Sequence, residues 1–259
     1  MADEQTAGQR DKTLNFTDLP LIEVALKRVP KVHFPISLPF VLELKNRLPA
    51  RFDQMLDLDA AEQPPGALTP VAYAFHVTNG CRLLDSNLGL TVTLQPDLLI
   101  VRWAMADDRP YPRFGALRKA ANEVIEVIEQ ISLQPFEAAL VNMAYANRVD
   151  ATVREGRPQP SPWPLSDAWT PDGVREEGQA FESQSVLRGA DQIDRRVLVQ
   201  YRPETADAKP WYLLLTIAGR PVADGESLET AENDVHGALI EWFPRLLSQE
   251  AREVYGLKP

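Results

Sequence analysis

The chain has 259 residues, with 27 Lys and Arg against 37 Asp and Glu, and a formal net charge of −10. This length supports one large domain or two small ones, and a hydrophobic content of 44% is that of an ordinary globular protein rather than a disordered or membrane-embedded one. The acidic balance repels phosphate backbones and disfavours nucleic acid as a partner.

Residues 1–15 are predicted to form a flexible tail, followed by a strand and a helix. Over 21–27 apolar and other side chains alternate, which is the pattern of a half-buried strand. Apolar residues then recur every four positions from Phe40 until Pro49, as they do in a helix that a proline ends. This opening therefore predicts β followed by α.

A four-stranded meander is predicted next. Its strands are expected at 71–77, from Cys81 onward, at 88–94 and at 98–104. An acidic, proline-bearing loop over 57–70 precedes it, and Asn79-Gly80 is a dipeptide that favours a tight hairpin turn.

The clearest helix is predicted over 112–131, because one face is apolar at alternating spacings of three and four and the other is charged. Residues 136–149 then form a long predicted strand. As far as Tyr145, apolar residues occupy both the odd and the even positions, which point to opposite faces of a strand. We therefore expect a central strand that is covered on both faces.

The prolines concentrate between 156 and 172, which predicts an extended Pro/Trp-rich connector. Beyond it, a second meander and a helix capped by Ser227 are expected. The predicted fold is α+β, with antiparallel sheet in two meander-plus-helix halves (16–155 and 173–259) and amphipathic helices packed on the sheet. The sequence leaves open whether the halves share one sheet and one domain.

Four segments carry a resemblance to known sequences. They are 19–24, 111–118, 145–150, and His236 with Phe243, Glu250 and Tyr255-Gly256. In their order and spacing they resemble a sporadically distributed family of uncharacterised bacterial proteins of similar length. That resemblance implies no reaction, cofactor or catalytic residue. It implies an accessory protein, with bacterial defence or toxin–antitoxin-like loci as the setting.

The motif content predicts no catalytic residue, no metal site and no cofactor. A phosphate-binding Gly-x-x-x-x-Gly-Lys loop does not occur, and the three histidines are scattered without metal-ligand spacing. Cys81 with His76 is the one suggestive pair, but a lone cysteine at a strand start is more often a small buried hydrophobe. A single cysteine cannot form an internal disulfide, which agrees with the cytoplasm as compartment.

Seven residues are candidates for binding because they combine aromatic, amide and charged groups at a strand end, a helix and the connector. They are Tyr145, Asn147, Arg148, Asp150, Trp163, Trp169 and His236. The structural explanation of each is simpler: Arg148 can pair with Asp150, the tryptophans can cover a sheet edge, and His236 can orient a neighbouring group.

Two functional hypotheses follow. The first is a non-enzymatic cytoplasmic protein that binds another protein, or a second copy of itself, through the strand end and the connector. The alternative is a small-molecule or nucleotide-binding enzyme whose pocket lies between the helices and the sheet and is lined by Arg148, Asp150 and His236. The sequence identifies no small-molecule ligand, and it indicates neither a membrane-spanning segment nor nucleic-acid binding.

Overall fold

The computed structural model describes residues 21–57, 80–106, 110–150, 182–188, 191–202, 211–247, 252–253 and 255–256. In chain order its elements are β1 (Leu21–Pro30), α1 (Leu38–Arg47), β2 (Phe52–Asp57), β3 (Cys81–Asp85), β4 (Leu90–Gln95), β5 (Leu98–Ala104), α2 (Phe114–Ser132), β6 (Ala138–Asp150), β7 (Glu182–Arg188), β8 (Asp194–Arg202), β9 (Trp211–Pro221) and α3 (Leu228–Leu246). Predicted tail 1–15 and connector 156–172 lie outside the described residues.

Two of the three described helices, α1 and α3, begin at a serine that caps them. The hydroxyl of Ser37 accepts a hydrogen bond from the Phe40 amide at 3.4 Å, and that of Ser227 accepts one from the Thr230 amide at 3.1 Å. Helix α2 has no such side-chain cap, since it begins after Arg113. Its strong amphipathic pattern is what stabilises it against the sheet.

All nine described strands form one antiparallel sheet in the order β2-β3-β4-β5-β1-β6-β9-β8-β7. Strands β1 and β6 are neighbours at its centre, where Val24 lies opposite Tyr145. A meander extends outward from each of them, β5 to β2 on one side and β9 to β7 on the other, and each meander is followed in sequence by a 19-residue helix. The predicted α+β fold with two meander-plus-helix halves is confirmed, and the described halves share one sheet.

The first strand of the first meander was expected at 71–77, which lies outside the described residues, so that expectation stays a prediction. Strand β3 is bordered by β2 on one side and by β4 on the other. The missed strand, β2, is short and carries acidic residues, so its sequence resembles the acidic loop that follows it.

The three helices lie on one side of the sheet, which we call the covered face. Helix α2 packs over β5, β4 and β1, α3 packs over β6 and β9, and α1 packs against α2. Most side chains on this face are buried, and the largest of the aliphatic and aromatic ones include Leu26, Leu83, Leu99, Met143 and Tyr212. The hydrophobic core lies between this face and the helices.

The other side carries no described helix, and we call it the open face. Its described side chains include Lys27, Arg82, Leu84, Thr91, Thr93, Leu98, Ile100, Arg102, Leu140, Asn142, Ala144, Arg148, Arg196, Leu198, Leu213, Leu215 and Ile217. Arg102, Arg148 and Arg196 are exposed, and the other side chains of this list are half-buried. Strand β6 is central as predicted, but among the described elements helices cover only one of its faces.

Within the described ranges, none of the helices has the length and apolar character that crossing a membrane requires.

Candidate functional site

Tyr145 and Asn147 lie on the covered face, beneath α3. Their exposed fractions are 5% and 1%. The ring of His236, from α3, packs edge-on towards Tyr145 with 6.4 Å between ring centroids, and it stacks on the ring of Phe114 at 4.2 Å. The structure therefore brings Tyr145 and His236 together, as a contact that joins α3, β6 and the start of α2. Phe114 completes this contact and was absent from the sequence-based candidates.

The amide of Asn147 is the unusual group in this region. Its Nδ2 atom is buried and has no hydrogen-bond partner. A buried amide without a partner costs stability, typically by about 1–3 kcal/mol. Since the side chain lies in the interior beneath the helix layer, it has no exposed surface to offer a macromolecular partner.

Arg148 lies on the other side of the sheet from its neighbour Asn147, because successive residues of a strand point to opposite faces. It is exposed, and its guanidinium lies over the ring of Trp211 at 5.1 Å from the centroid. A single pocket cannot be lined by both Arg148 and His236, since the sheet separates them. Asp150 is described only as the last backbone position of β6, opposite Trp211.

Two predicted site residues, Trp163 and Trp169, fall outside the described part of the chain. Their proposed docking role stays a prediction.

A groove of about 770 Å³ does lie between the helices, where α2 begins, α3 passes and β8 approaches. His236 lines it, together with Phe114, Arg118, Asp191, Arg195, Glu229, Asn233, Asp234 and Glu241. The two guanidinium groups are already engaged. Arg118 contacts Glu229 at 2.9 Å and the Asn233 side-chain oxygen at 3.1 Å, and Arg195 contacts Asp191 at 2.5 Å.

The electrostatics of this groove are unfavourable for a phosphate. Four carboxylates but only two guanidinium groups line the groove. The hydrogen bond from Arg195 lowers the pKa of Asp191 to about 2, so that carboxylate is ionised throughout the physiological range. A nucleotide would therefore meet a surplus of negative charge.

A smaller groove of about 360 Å³ lies at the other end of the helix layer, where β1 ends and α2 meets β6. Phe34 and Phe136, which line it, stack at 5.8 Å between centroids. Lys31 at its rim contacts Glu137 at 3.2 Å and Asp224 at 2.8 Å. The Lys31 ammonium group is therefore already paired with two carboxylates.

A buried ion pair joins the central strand β1 to α3. Arg28 Nε donates to Glu232 Oε1 at 2.6 Å, and both side chains are 1% exposed. Burial raises the pKa of Glu232, and the charge of Arg28 opposes that shift. The second oxygen of Glu232 and Nη1 of Arg28 have no partner, so the pair is held by one hydrogen bond.

The open face carries a charge balance opposite to that of the chain. Its described basic side chains are Lys27, Arg82, Arg102, Arg148 and Arg196, and its acidic ones are Glu23 and Asp194. Glu23 pairs with Arg102 at 2.5 Å. Burial lowers the pKa of Arg82, and the positive charge of nearby Arg102 lowers it further. These two guanidinium groups lie on the same face, in strands that β4 separates.

In the described ranges, no three His, Cys, Asp or Glu side chains are grouped so that they would hold a metal ion. Cys81 is buried on the covered face, and His76 lies outside the described residues. Neither a scan against protein-family models nor a search of curated proteins finds a match to this chain.

Proposed function

We propose that this is a non-enzymatic accessory protein of the cytoplasm that binds another protein through the open face of its sheet. One observation carries the proposal: the described helices all pack on one side and leave the opposite side of the sheet without a described cover. A sheet face that is rich in aliphatic side chains and rimmed by polar ones is typical of an interaction surface.

The apolar part of the open face is continuous across strands. Leu198 of β8 lies opposite Leu215 of β9, which lies opposite Ala146 of β6. In the next row, Ile217 lies opposite Ala144, which lies opposite Ala25 of β1. These side chains form an apolar centre that reaches from the second meander across the middle of the sheet.

The charged side chains surround this centre. Arg148 lies on one side of the apolar rows, Arg196 ends one of them in β8, and Lys27 lies beyond them in β1. An apolar centre with a charged rim is the arrangement that specific protein–protein interfaces use. The resemblance to a sporadically distributed family of uncharacterised bacterial proteins implies an accessory protein, and that agrees with a role that depends on a partner protein.

The alternative function, a small-molecule or nucleotide-binding enzyme, is less well supported. The groove beside His236 is large enough for a ligand, but the charges of Arg118 and Arg195 are neutralised within it. If ATP raised the melting temperature of the protein, and if Arg118→Gln abolished that rise, the alternative would be preferred.

Site-specific photo-crosslinking tests the proposed surface. A photoreactive phenylalanine analogue placed at Leu215 or Ile100 on the open face is expected to crosslink one partner protein in cells. The matched control is Leu42, an exposed apolar residue on the solvent side of α1, which is 49% exposed and is expected to give no such product. Circular dichroism and melting temperature establish that the variants fold.

A substitution then links the crosslink to the surface. Leu215→Asp, introduced into the protein that carries the photoreactive residue at position 100, is expected to remove the product, because a charge at the centre of an apolar interface prevents docking. Equal crosslinking from Leu42, or no product from either open-face position, would contradict the proposal.

A further inference from the structure

We infer that the surface recognised by the open face is acidic: the partner presents Asp and Glu side chains around an apolar centre. This inference rests on the proposed function, because it specifies the chemistry of the partner that this face binds. Five described basic side chains against two acidic ones lie on the face, whereas the chain as a whole has 27 basic against 37 acidic residues. Positive charge is therefore concentrated where no described helix packs.

Three of the five basic side chains lie in the same part of the sheet. Lys27 of β1 lies opposite Ile100 of β5, which lies opposite Thr93 of β4, which lies opposite Arg82 of β3. Arg102 belongs to the adjacent row of the same face. Three cations thus lie within four neighbouring strands, and the Glu23 carboxylate contacts one of them, Arg102, at 2.5 Å.

Arg82 is the strongest reason to expect a carboxylate as the partner of these three cations. Its Nε atom is buried and has no hydrogen-bond partner, and Arg102 lies close enough to affect its ionisation. Two neighbouring guanidinium groups repel each other, and a carboxylate from outside would relieve that repulsion while it accepts hydrogen bonds. The anionic groups that a protein surface supplies are the carboxylates of Asp and Glu.

A second copy of this chain fits the open face less well. In a symmetric dimer the same patch meets itself, so both copies would bring a surplus of basic side chains to one interface. Nucleic acid also fits less well, since the face has an aliphatic centre and a chain of net charge −10 repels a phosphate backbone at long range. An acidic protein surface satisfies both the aliphatic side chains and the cations.

The test uses two short synthetic peptides of equal apolar content, one alternating Leu with Glu and the other alternating Leu with Lys. Binding to the purified full chain is measured by fluorescence anisotropy in about 0.15 M salt, where the Debye length of about 8 Å screens the distant acidic surface. The Glu peptide is expected to bind, and its Kd is expected to rise with salt. The Lys peptide is expected to bind weakly.

Two triple variants with the same loss of charge locate the site. Arg82→Gln with Arg102→Gln and Arg196→Gln is expected to weaken binding of the Glu peptide about tenfold, since each exposed ion pair contributes modestly. Arg47→Gln with Lys119→Gln and Arg245→Gln, all exposed residues of the helices, is the control and is expected to change Kd less than twofold.

Several results would overturn the inference. They are no binding of the Glu peptide, equal weakening by the control variant, tighter binding of a short double-stranded DNA, and a dimer in sedimentation that the open-face triple variant dissociates. The proposed function fails separately, by loss of the crosslinks from positions 100 and 215. If those crosslinks form and the open-face triple variant leaves them unchanged, the surface docks a protein but the partner is not acidic.

Discussion

The two faces of the sheet are built from the same strands, yet they have different surroundings. In β9, Leu214 lies on the covered face and is 0% exposed, while its neighbour Leu215 lies on the open face and is half-buried. The residue type and the strand are identical for both positions. Whether a strand residue belongs to the core or is available for binding therefore depends on which face of the sheet the helices cover. The alternation of residues along a strand does not by itself specify that face.

Charge separates the two faces as well. On the covered side the charged groups are paired: buried Arg28 contacts buried Glu232, and half-buried Arg51 contacts buried Asp85 and half-buried Glu123. On the open face basic side chains outnumber acidic ones. Substitutions on the covered face should therefore change folding, and substitutions on the open face should change binding. The predictions that follow test this division from the largest expected effect to the smallest.

Removing Arg28 should have the largest effect. Arg28→Met leaves the carboxyl of Glu232 buried without its partner, and we expect a loss of about 3–5 kcal/mol in the free energy of unfolding at pH 7. Urea titration measures it. Burial already raises the pKa of Glu232, because the neutral carboxylic acid is less costly to bury than the carboxylate. The loss of stability in Arg28→Met should therefore become smaller as the pH falls and Glu232 is protonated.

A double variant checks the cause. Arg28→Met with Glu232→Leu removes both charges and should recover most of the stability, since a buried pair is often replaceable by apolar side chains. Arg196→Met is the open-face control. If it were as destabilising as Arg28→Met, the division between the faces would be wrong.

The two adjacent leucines of β9 give the second comparison. Leu214→Ala creates a cavity beneath the helices and should lower the free energy of unfolding by about 3 kcal/mol. Leu215→Ala removes the same atoms from the half-buried face and should cost less than about 1 kcal/mol. Equal losses at the two sites would indicate that both faces are covered.

The contact between β9 and the start of α3 gives a pH-dependent prediction. Hydrogen bonds from Arg220, and from the backbone amide of Ala223, lower the pKa of Glu226 from 4.5 to about 2. A lowered carboxyl pKa stabilises the fold above the unfolded value and ceases to do so as the pH falls towards the folded value. Glu226→Gln should therefore cost about 1 kcal/mol at pH 7, and the difference from the wild type should vanish between pH 4.5 and about 2.

Thermal unfolding at several pH values measures this effect. Glu43→Gln, which removes the exposed partner of Arg47 within α1, is the matched control and should show a smaller difference at every pH. A difference for Glu226→Gln that persists at pH 2 would contradict the assignment.

The smallest effect on stability is expected from Lys27→Gln on the open face. The side chain is half-buried on the face opposite the hydrophobic core, so the change in unfolding free energy should stay within about 0.5 kcal/mol. A large loss would show that this position belongs to the folding core.

Much of the fold was predictable because its signals are local. The apolar stripe of α2 and the Ser227 cap of α3 are encoded within single elements, and the second meander was expected close to where β8 and β9 lie. Strand β2 was missed because its few residues do not contrast with the acidic stretch that follows. The adjacency of β1 and β6 depends on pairing between distant segments, for which a single sequence carries no local signal.

The candidate site was harder to predict, since it depends on what covers each face. The signal that separates Asn147 from Arg148 was present in the sequence, because adjacent residues of a strand point in opposite directions. The sequence did not reveal that α3 would cover the side of Asn147 and leave Arg148 exposed. The surplus of basic side chains on the open face likewise emerges only when separate strands are aligned in register.

The Arg28–Glu232 pair also constrains how the chain can acquire its structure during synthesis. The two residues are 204 positions apart, with Arg28 in β1 and Glu232 in α3. A ribosome therefore releases the guanidinium long before its carboxylate exists, and the interior that holds it cannot close over an unpaired charge without a large desolvation cost. Until α3 emerges, the nascent protein should keep its central strands accessible to chaperones, and a chain truncated before residue 228 should be recognised as unfinished.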